Sequence, residues 1–278
     1  MNINNLCSPN LQFLVLFACM SLIGSRAYGH SDVFISNVSG TVAIGGANEL
    51  GTVDESFDLT TRVFEGVMIS NFSPIGPADY GRDEPGFHAL FAGSASFPAG
   101  ASALPAGTAV SVGLPEFRVE SSIASGFFWD GTGEVTFAPL STAQPEVELT
   151  IDPSPIGNIG NSGAADLHPA FKLDKSGPGV PADGVYLIAP AVLVAGLSGS
   201  QQFYMLFLVD TLLGDEETAE ELEDALEIGQ TVLHGKDFAF FEEAVDFVQQ
   251  LAVPEPSAHL MAAIPFGVAR IGRRRAVQ

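Results

Sequence analysis

The sequence predicts a mainly β protein: an antiparallel β-sandwich, jelly-roll-like, with one or two C-terminal helices. Three observations predict it. Only 16% of the 278 residues are charged, whereas 30 glycines, 18 prolines and 21 phenylalanines supply tight turns and core bulk. Apolar residues recur at every second position in short runs bounded by turn residues, the period of a strand. Beyond residue 213 that period gives way to one of three or four, which belongs to a helix. A hydrophobic content of 46% is ample for a large core.

The first 29 residues stand apart. "LQFLVLFACMSLIG" is an apolar run too short for a comfortable membrane span, and Ala27, Tyr28 and Gly29 follow as a small-x-small site. The pattern is that of a secretory signal peptide, handed to the Sec machinery and removed after Gly29, although no Lys or Arg precedes the run. Cys7 and Cys19, the two cysteines, both fall inside it. The exported body would then have neither disulfides nor thiolate metal ligands.

Residues 30–213 read as the sandwich. "SDVFISNVSGTVAIGG" holds two alternating runs around an Asn-Val-Ser-Gly turn and predicts a hairpin. "TTRVFEGVMIS" predicts a strand with Val63 and Glu65 facing away from Phe64. "TAVSVGLPEFRVE" alternates likewise, with a bend or bulge at Gly113 and Pro115. "GFFWDGTGEVTFAPL" sets Asp130 and Gly131 between aromatic arms, a hairpin signal, and "EVELTI" follows. "DGVYLIAPAVLVAGL" and "QFYMLFLV" are continuously apolar, as buried central strands are. Residues 151–163 and 174–183 are rich in Gly, Pro, Asn or Ser and predict loops. No repeat of fixed period occurs, which argues against solenoids and propellers.

Residues 214–252 form a helical segment packed on the sandwich. "GDEETAEELEDALEIG" starts at Asp215 as N-cap and ends before Gly229 as C′ residue. Ala219, Leu222, Ala225 and Leu226 make a narrow apolar stripe. Glu216, Glu220 and Asp224 repel one another at helical spacing, and the acids read as a solvated face rather than a cation site. "KDFAFFEEAVDFVQQL" repeats Phe238, Phe241, Val245, Val248 and Leu251 at helical spacing and should dock on the sheet.

Charge is distributed unevenly. Of the 11 cations, Arg26 lies in the signal and Arg270, Arg273, Arg274 and Arg275 in the tail; of the 33 acids, only Glu255 lies in either, so residues 30–253 carry a net −26. Such a surface repels phosphate backbones and argues against nucleic-acid partners, while divalent cations remain compatible.

Residues 253–278 carry Pro254, Glu255 and Pro256 near their start and Arg273, Arg274 and Arg275 near their end. The apolar stretch between them, residues 258–272, would span about 22 Å as a helix against roughly 30 Å of hydrocarbon. It makes a poor permanent anchor but a workable temporary one, with the arginines held on the cytoplasmic side.

In that order, Pro-Glu-Pro, apolar stretch and arginine cluster resemble a PEP-CTERM sorting tail over the last 26 residues. Pro265 and Arg270 depart from the family's clean apolar helix. The resemblance implies recognition by an exosortase, a membrane protease-transpeptidase of Gram-negative bacteria that make extracellular polysaccharide. It implies transient anchoring in the inner membrane, then delivery to the outer cell surface or extracellular matrix, where polysaccharide is a candidate partner.

Chemistry-bearing motifs are scarce. There is no Gly-x-Ser-x-Gly, phosphate loop, dinucleotide fingerprint, His-Glu-x-x-His or calcium-loop pattern. Carboxylates are too numerous to single out a glycosidase pair. Four histidines remain in the body: His30, His88, His168 and His234. Signal removal would make His30 the amino terminus, whose amine and imidazole can chelate one ion together. His88 closes "DYGRDEPGFH", beside Asp79, Asp83 and Glu84. His168 stands two residues after Asp166, so a strand would put both on one face. Imidazole with carboxylate suits zinc and several other divalent metals. The candidate metal ligands are His30, His88, His168, Asp83 and Asp166; His234, beside Gly235, reads as an ordinary surface residue. Each histidine alone also fits a plain hydrogen-bonded role.

The body, through "HSDV", "RDEPGFH", "GFFWDG", "LHPAFKL", "PADGVYLIAPAVL" and "FYMLFL", resembles the PEP-CTERM proteins repressed by the bacterial zinc-uptake regulator. Asp166 stands where that group's His-x-His-x-x-Phe pattern has its first histidine. The resemblance implies a protein made when zinc is scarce, and zinc capture at the surface. Three readings stay open: a non-enzymatic metal-binding surface protein, a structural or adhesive matrix protein with incidental histidines, and an extracellular hydrolase.

Overall fold

The structure, a computed structural model, describes residues 31–48, 56–72 and 78–252. The signal segment, His30, and the sorting tail with Pro254, Glu255, Pro256, Arg273, Arg274 and Arg275 lie outside the described residues. With 41% strand and 14% helix, the fold is mainly β and sandwich-like.

The predicted first hairpin is present. β1 (Ser31–Val38) and β2 (Thr41–Asn48) pair over their full lengths. Ser39 and Gly40 turn between them at φ of 52° and 86°. Positive φ at both turn residues matches the right-handed twist of the two strands. β3 (Ser56–Phe57) extends this sheet beyond β2; β6 (Phe87–Ala89) joins β1 in parallel, and β14 (Ala165–Leu167) covers β6. The sheet order is β14-β6-β1-β2-β3.

A larger, curled sheet forms the middle layer. It is built from β4 (Val63–Ser70), β5 (Tyr80–Arg82), β10 (Phe127–Trp129), β11 (Ala138–Pro139), β12 (Val147–Asp152), β15 (Ala170–Lys175), β16 (Gly184–Ile188) and β18 (Tyr204–Val209). Its order is β11-β10-β16-β18-β4-β5-β15-β12. A third sheet holds β13 (Gly157–Asn158), β7 (Ala109–Gly113) and β17 (Ala191–Val194). Two short hairpins, β8 (Phe117–Val119) with β9 (Ser122–Ala124) and β19 (Val232–Leu233) with β20 (Lys236–Asp237), complete the β structure.

Alternation along β18 explains the layering. Met205, Phe207 and Val209 enter a core shared with Val33, Ile35, Ile44 and Phe87 of the first sheet. Leu206 and Leu208 point the other way, onto Leu222, Phe241 and Val245 of the helices. With both faces covered, every residue of the strand is buried, hence the unbroken apolar run. Each such side chain contributes about 1.5–3 kcal/mol by leaving water.

Three local expectations are corrected. "DGVYLIAPAVLVAGL" splits at Pro190: β16 is central, but β17 is an edge strand whose Leu193 is 53% exposed. Asp130-Gly131 is not a two-residue hairpin turn. The Asp130 carboxylate accepts from Thr132 N at 3.0 Å and Thr132 Oγ1 at 2.7 Å, closing a local turn, and β10 meets β11 only at Phe127–Pro139 and Phe128–Ala138. The expected loops over 151–163 and 174–183 contain β13 and the ends of β12 and β15. Within the antiparallel scheme, β1 with β6 and β18 with β4 pair in parallel. Pattern alone does not report strand direction.

α1 (Leu140–Ala143) is a single turn. α2 (Glu216–Glu227) begins as expected, the Asp215 side chain accepting from Thr218 N at 2.8 Å. It ends with Gly229 at φ 73°, while Gly229 N and Gln230 N donate to Leu226 O and Ala225 O at 2.9 and 2.8 Å. That double bond is the Schellman closure. α3 (Ala239–Ala252) buries Phe241, Ala244, Val245 and Val248 against the sheet. One acid of α2 departs from the solvated reading. Glu223 reaches Arg82, only 3% exposed, at 2.8 Å, and also accepts from Val67 N at 3.0 Å. The same Arg82 Nη2 donates to Glu84 at 3.0 Å.

Candidate metal centre

Strands β14, β6 and β1 lie side by side, and their register lines up one row of side chains. Asp166 sits opposite His88, which in turn sits beside Phe34. Two positions along each strand, beyond the last paired residues, come His168, Gly86 and Asp32. The middle member has no side chain. A Cβ on Gly86 would stand 2.7 Å from both Cε1 and Nδ1 of His168 and 3.1 Å from Asp32 Oδ1. Gly86 is absent from the left-handed region, so space rather than conformation demands glycine here. Its N–H donates to Asp32 Oδ1 at 2.6 Å.

The gap lets outer strands meet across the inner one. One donor atom each from Asp32, Asp166 and His168 lies within 4.8 Å of the other two. His168 Nε2 is 2.9 Å from Asp166 Oδ1, as the shared strand face predicts. The side chains of His168 and Asp166 are 39% and 68% exposed, and Asp32 is half-buried, so the group opens outward. Behind it, Val33 and Phe87 of the same strands anchor the sheet in the main core.

Electrostatics favour an added cation. Burial raises the Asp32 carboxyl above its ordinary value, and the charges of Glu84 and Asp166 push the same way; the Gly86 N–H and His168 oppose them. For His168, burial acts downward, but Asp32, Asp166 and a hydrogen bond to the Asp83 backbone outweigh it and hold the ring above the usual 6.5. Two carboxylate charges 4.8 Å apart repel by about 0.9–3.5 kcal/mol across effective dielectrics of about 80 to 20, and more if closer. A divalent ion would reverse that repulsion.

The donor chemistry fits such an ion. Nε2 faces Asp166, and the ring is also held by a hydrogen bond to the Asp83 backbone. Metal-bound histidines are ordinarily steadied this way. Two oxygens and one nitrogen with an exposed outer side match a three-ligand site keeping one position open. Asp32, Asp166 and His168 thus form a candidate metal-binding triad.

The sequence-predicted residues separate here. His168 and Asp166 come together. Asp83 contributes its backbone, and its carboxylate is not among the converging groups. His88 shares the face but sets its ring against Phe57, centroids 5.4 Å apart, and is not one of the three. His30 lies outside the described residues. His234 Nε2 lies 3.3 Å from Glu221 Oε2 on the surface, both side chains exposed. Sequence reasoning missed Asp32. Its signal was present in "SDVFIS", where alternation puts a charge in one row with the fully buried Phe34.

Comparisons of the chain with protein-family models, with curated proteins and with solved structures found no match.

Proposed function

We propose that this chain is a non-enzymatic protein of the outer cell surface or extracellular matrix. In this reading it binds one divalent cation, zinc foremost, through Asp32, Asp166 and His168. The observation that carries the metal part is the convergence of the three donors within 4.8 Å across a strand whose only side chain at that point is a hydrogen. A bare glycine between an imidazole and a carboxylate has little use in an ordinary surface ion pair. Zinc is preferred because the set is one imidazole and two carboxylates, with an open outer position.

Export and sorting by an exosortase rest on the two end segments and their resemblance to the PEP-CTERM pattern. Processing after Gly29 would free the amine of His30, two residues before Asp32. Two extended residues span at most about 7 Å, a chain length compatible with His30 reaching the same ion. His30 is proposed as the fourth ligand on that ground.

The test is metal analysis and zinc titration of the purified exported protein beside His168→Gln and His30→Ala. One zinc per chain, lost in His168→Gln and weakened in His30→Ala, is the expected outcome. Equal zinc content in all three would leave a structural or adhesive protein whose Asp166–His168 pair is a plain surface contact. Unchanged content in His30→Ala alone would remove only His30 from the ligand set.

A further inference from the structure

We infer that the buried Arg82 is a positioning residue for the cation site, acting through residues 83–86. The inference rests on the metal reading above.

The chain between Arg82 and Gly86 is gripped from two sides. On the inner side, the Arg82 side chain is 4% exposed and its Nη2 bridges Glu84 Oε2 at 3.0 Å and Glu223 Oε2 at 2.8 Å. Glu223 is itself fixed, its Oε1 accepting from Val67 N at 3.0 Å on the central sheet. On the outer side, Asp83 holds the His168 ring through its backbone, and Gly86 N–H holds Asp32 at 2.6 Å. Pro85 between them has a locked φ.

Four residues therefore carry two contacts to the triad and are pinned by a buried guanidinium between two carboxylates. A buried charge of that kind tolerates few geometries, because each departure leaves it unpaired. Its position is thereby transmitted to the backbone one residue away at Asp83 and four away at Gly86. A shift of Gly86 by about 1 Å away from Asp32 would break the 2.6 Å bond. Outer partners of metal ligands typically change affinity 10- to 100-fold. The acidic helix α2, through Glu223, thus supports the site from the opposite face of the middle sheet.

The experiment compares Glu223→Gln and Arg82→Lys with Val248→Ala, which loosens the packing of α3 without touching residues 82–86. Zinc affinity is read by competition with a chelator, and the His168 ring signals are read by NMR in the metal-free full chain. Zinc binding about tenfold weaker in Glu223→Gln and Arg82→Lys, with moved His168 signals, is expected. Val248→Ala should bind zinc as the parent does, with His168 unmoved, even at an equal loss of melting temperature. Affinities that simply follow melting temperature across the three variants, or remain at the parental value in both polar ones, overturn the inference. A parent chain that binds no zinc sinks the metal reading instead, and the metal-free His168 signals then decide positioning alone.

Discussion

The ring of His168 occupies the place that a side chain on Gly86 would need, 2.7 Å from the position of its Cβ. Gly86→Ala therefore forces the ring or the strand to move. Because His168 is exposed and able to swing away, the stability loss should be near the low end of overpacking, about 1 kcal/mol. Zinc affinity should fall at least tenfold, read by isothermal titration. A variant that binds zinc normally would mean the gap is not part of the site.

Asp32→Asn should separate stability from binding. Burial and two neighbouring carboxylates raise the Asp32 carboxyl, so its ionised form at pH 7 is a burden on the folded state. Asparagine keeps an acceptor for Gly86 N–H and removes the charge. The metal-free variant should melt at the same temperature or slightly higher, while losing most of its zinc affinity. Such opposition is common where a site is built against stability.

The pH dependence follows from His168, whose pKa is raised in the folded chain after its carboxylate partners outweigh burial. A raised folded-state value means the ring contributes stability fully below its unfolded pKa of about 6.5, and loses it as pH climbs through the folded value. Metal-free protein should thus lose melting temperature upward from about pH 6.5, and His168→Gln should flatten that slope. Zinc requires the neutral ring, so its affinity should rise over the same interval. Thermal melts at a series of pH values, with chelator or with zinc, check both signs.

Two glutamates of α2 should behave oppositely. Glu223→Ala strips one partner from the buried Arg82 and the acceptor from Val67 N, and should cost about 3 kcal/mol or more. Glu220→Ala, exposed and among like charges at helical spacing, should be neutral or slightly stabilising. Chemical denaturation of the two variants measures the difference.

Much of the architecture was readable from local pattern. The β1–β2 hairpin, the Asp215 cap, the Gly229 stop and the buried run of β18 each follow from a period or a turn residue. Legibility ended where distant segments meet. Asp32 and Gly86 become neighbours only because β6 pairs in parallel with β1, 54 residues away along the chain, a choice made by the main core and not by either strand alone. The same holds for Glu223, which looks like any acid of a solvated helix until Arg82 is seen beneath it, 141 residues away. Asp130-Gly131 misled for a local reason: the aspartate turns the chain with its own side chain at Thr132.

A single zinc titration of the parent chain against the double variant Asp32→Asn/His168→Gln addresses the proposal at its root. The account predicts one tight equivalent for the parent and none for the variant, with both chains folded by circular dichroism. Matching isotherms for the two would contradict it, since the ion would then sit somewhere other than across Gly86.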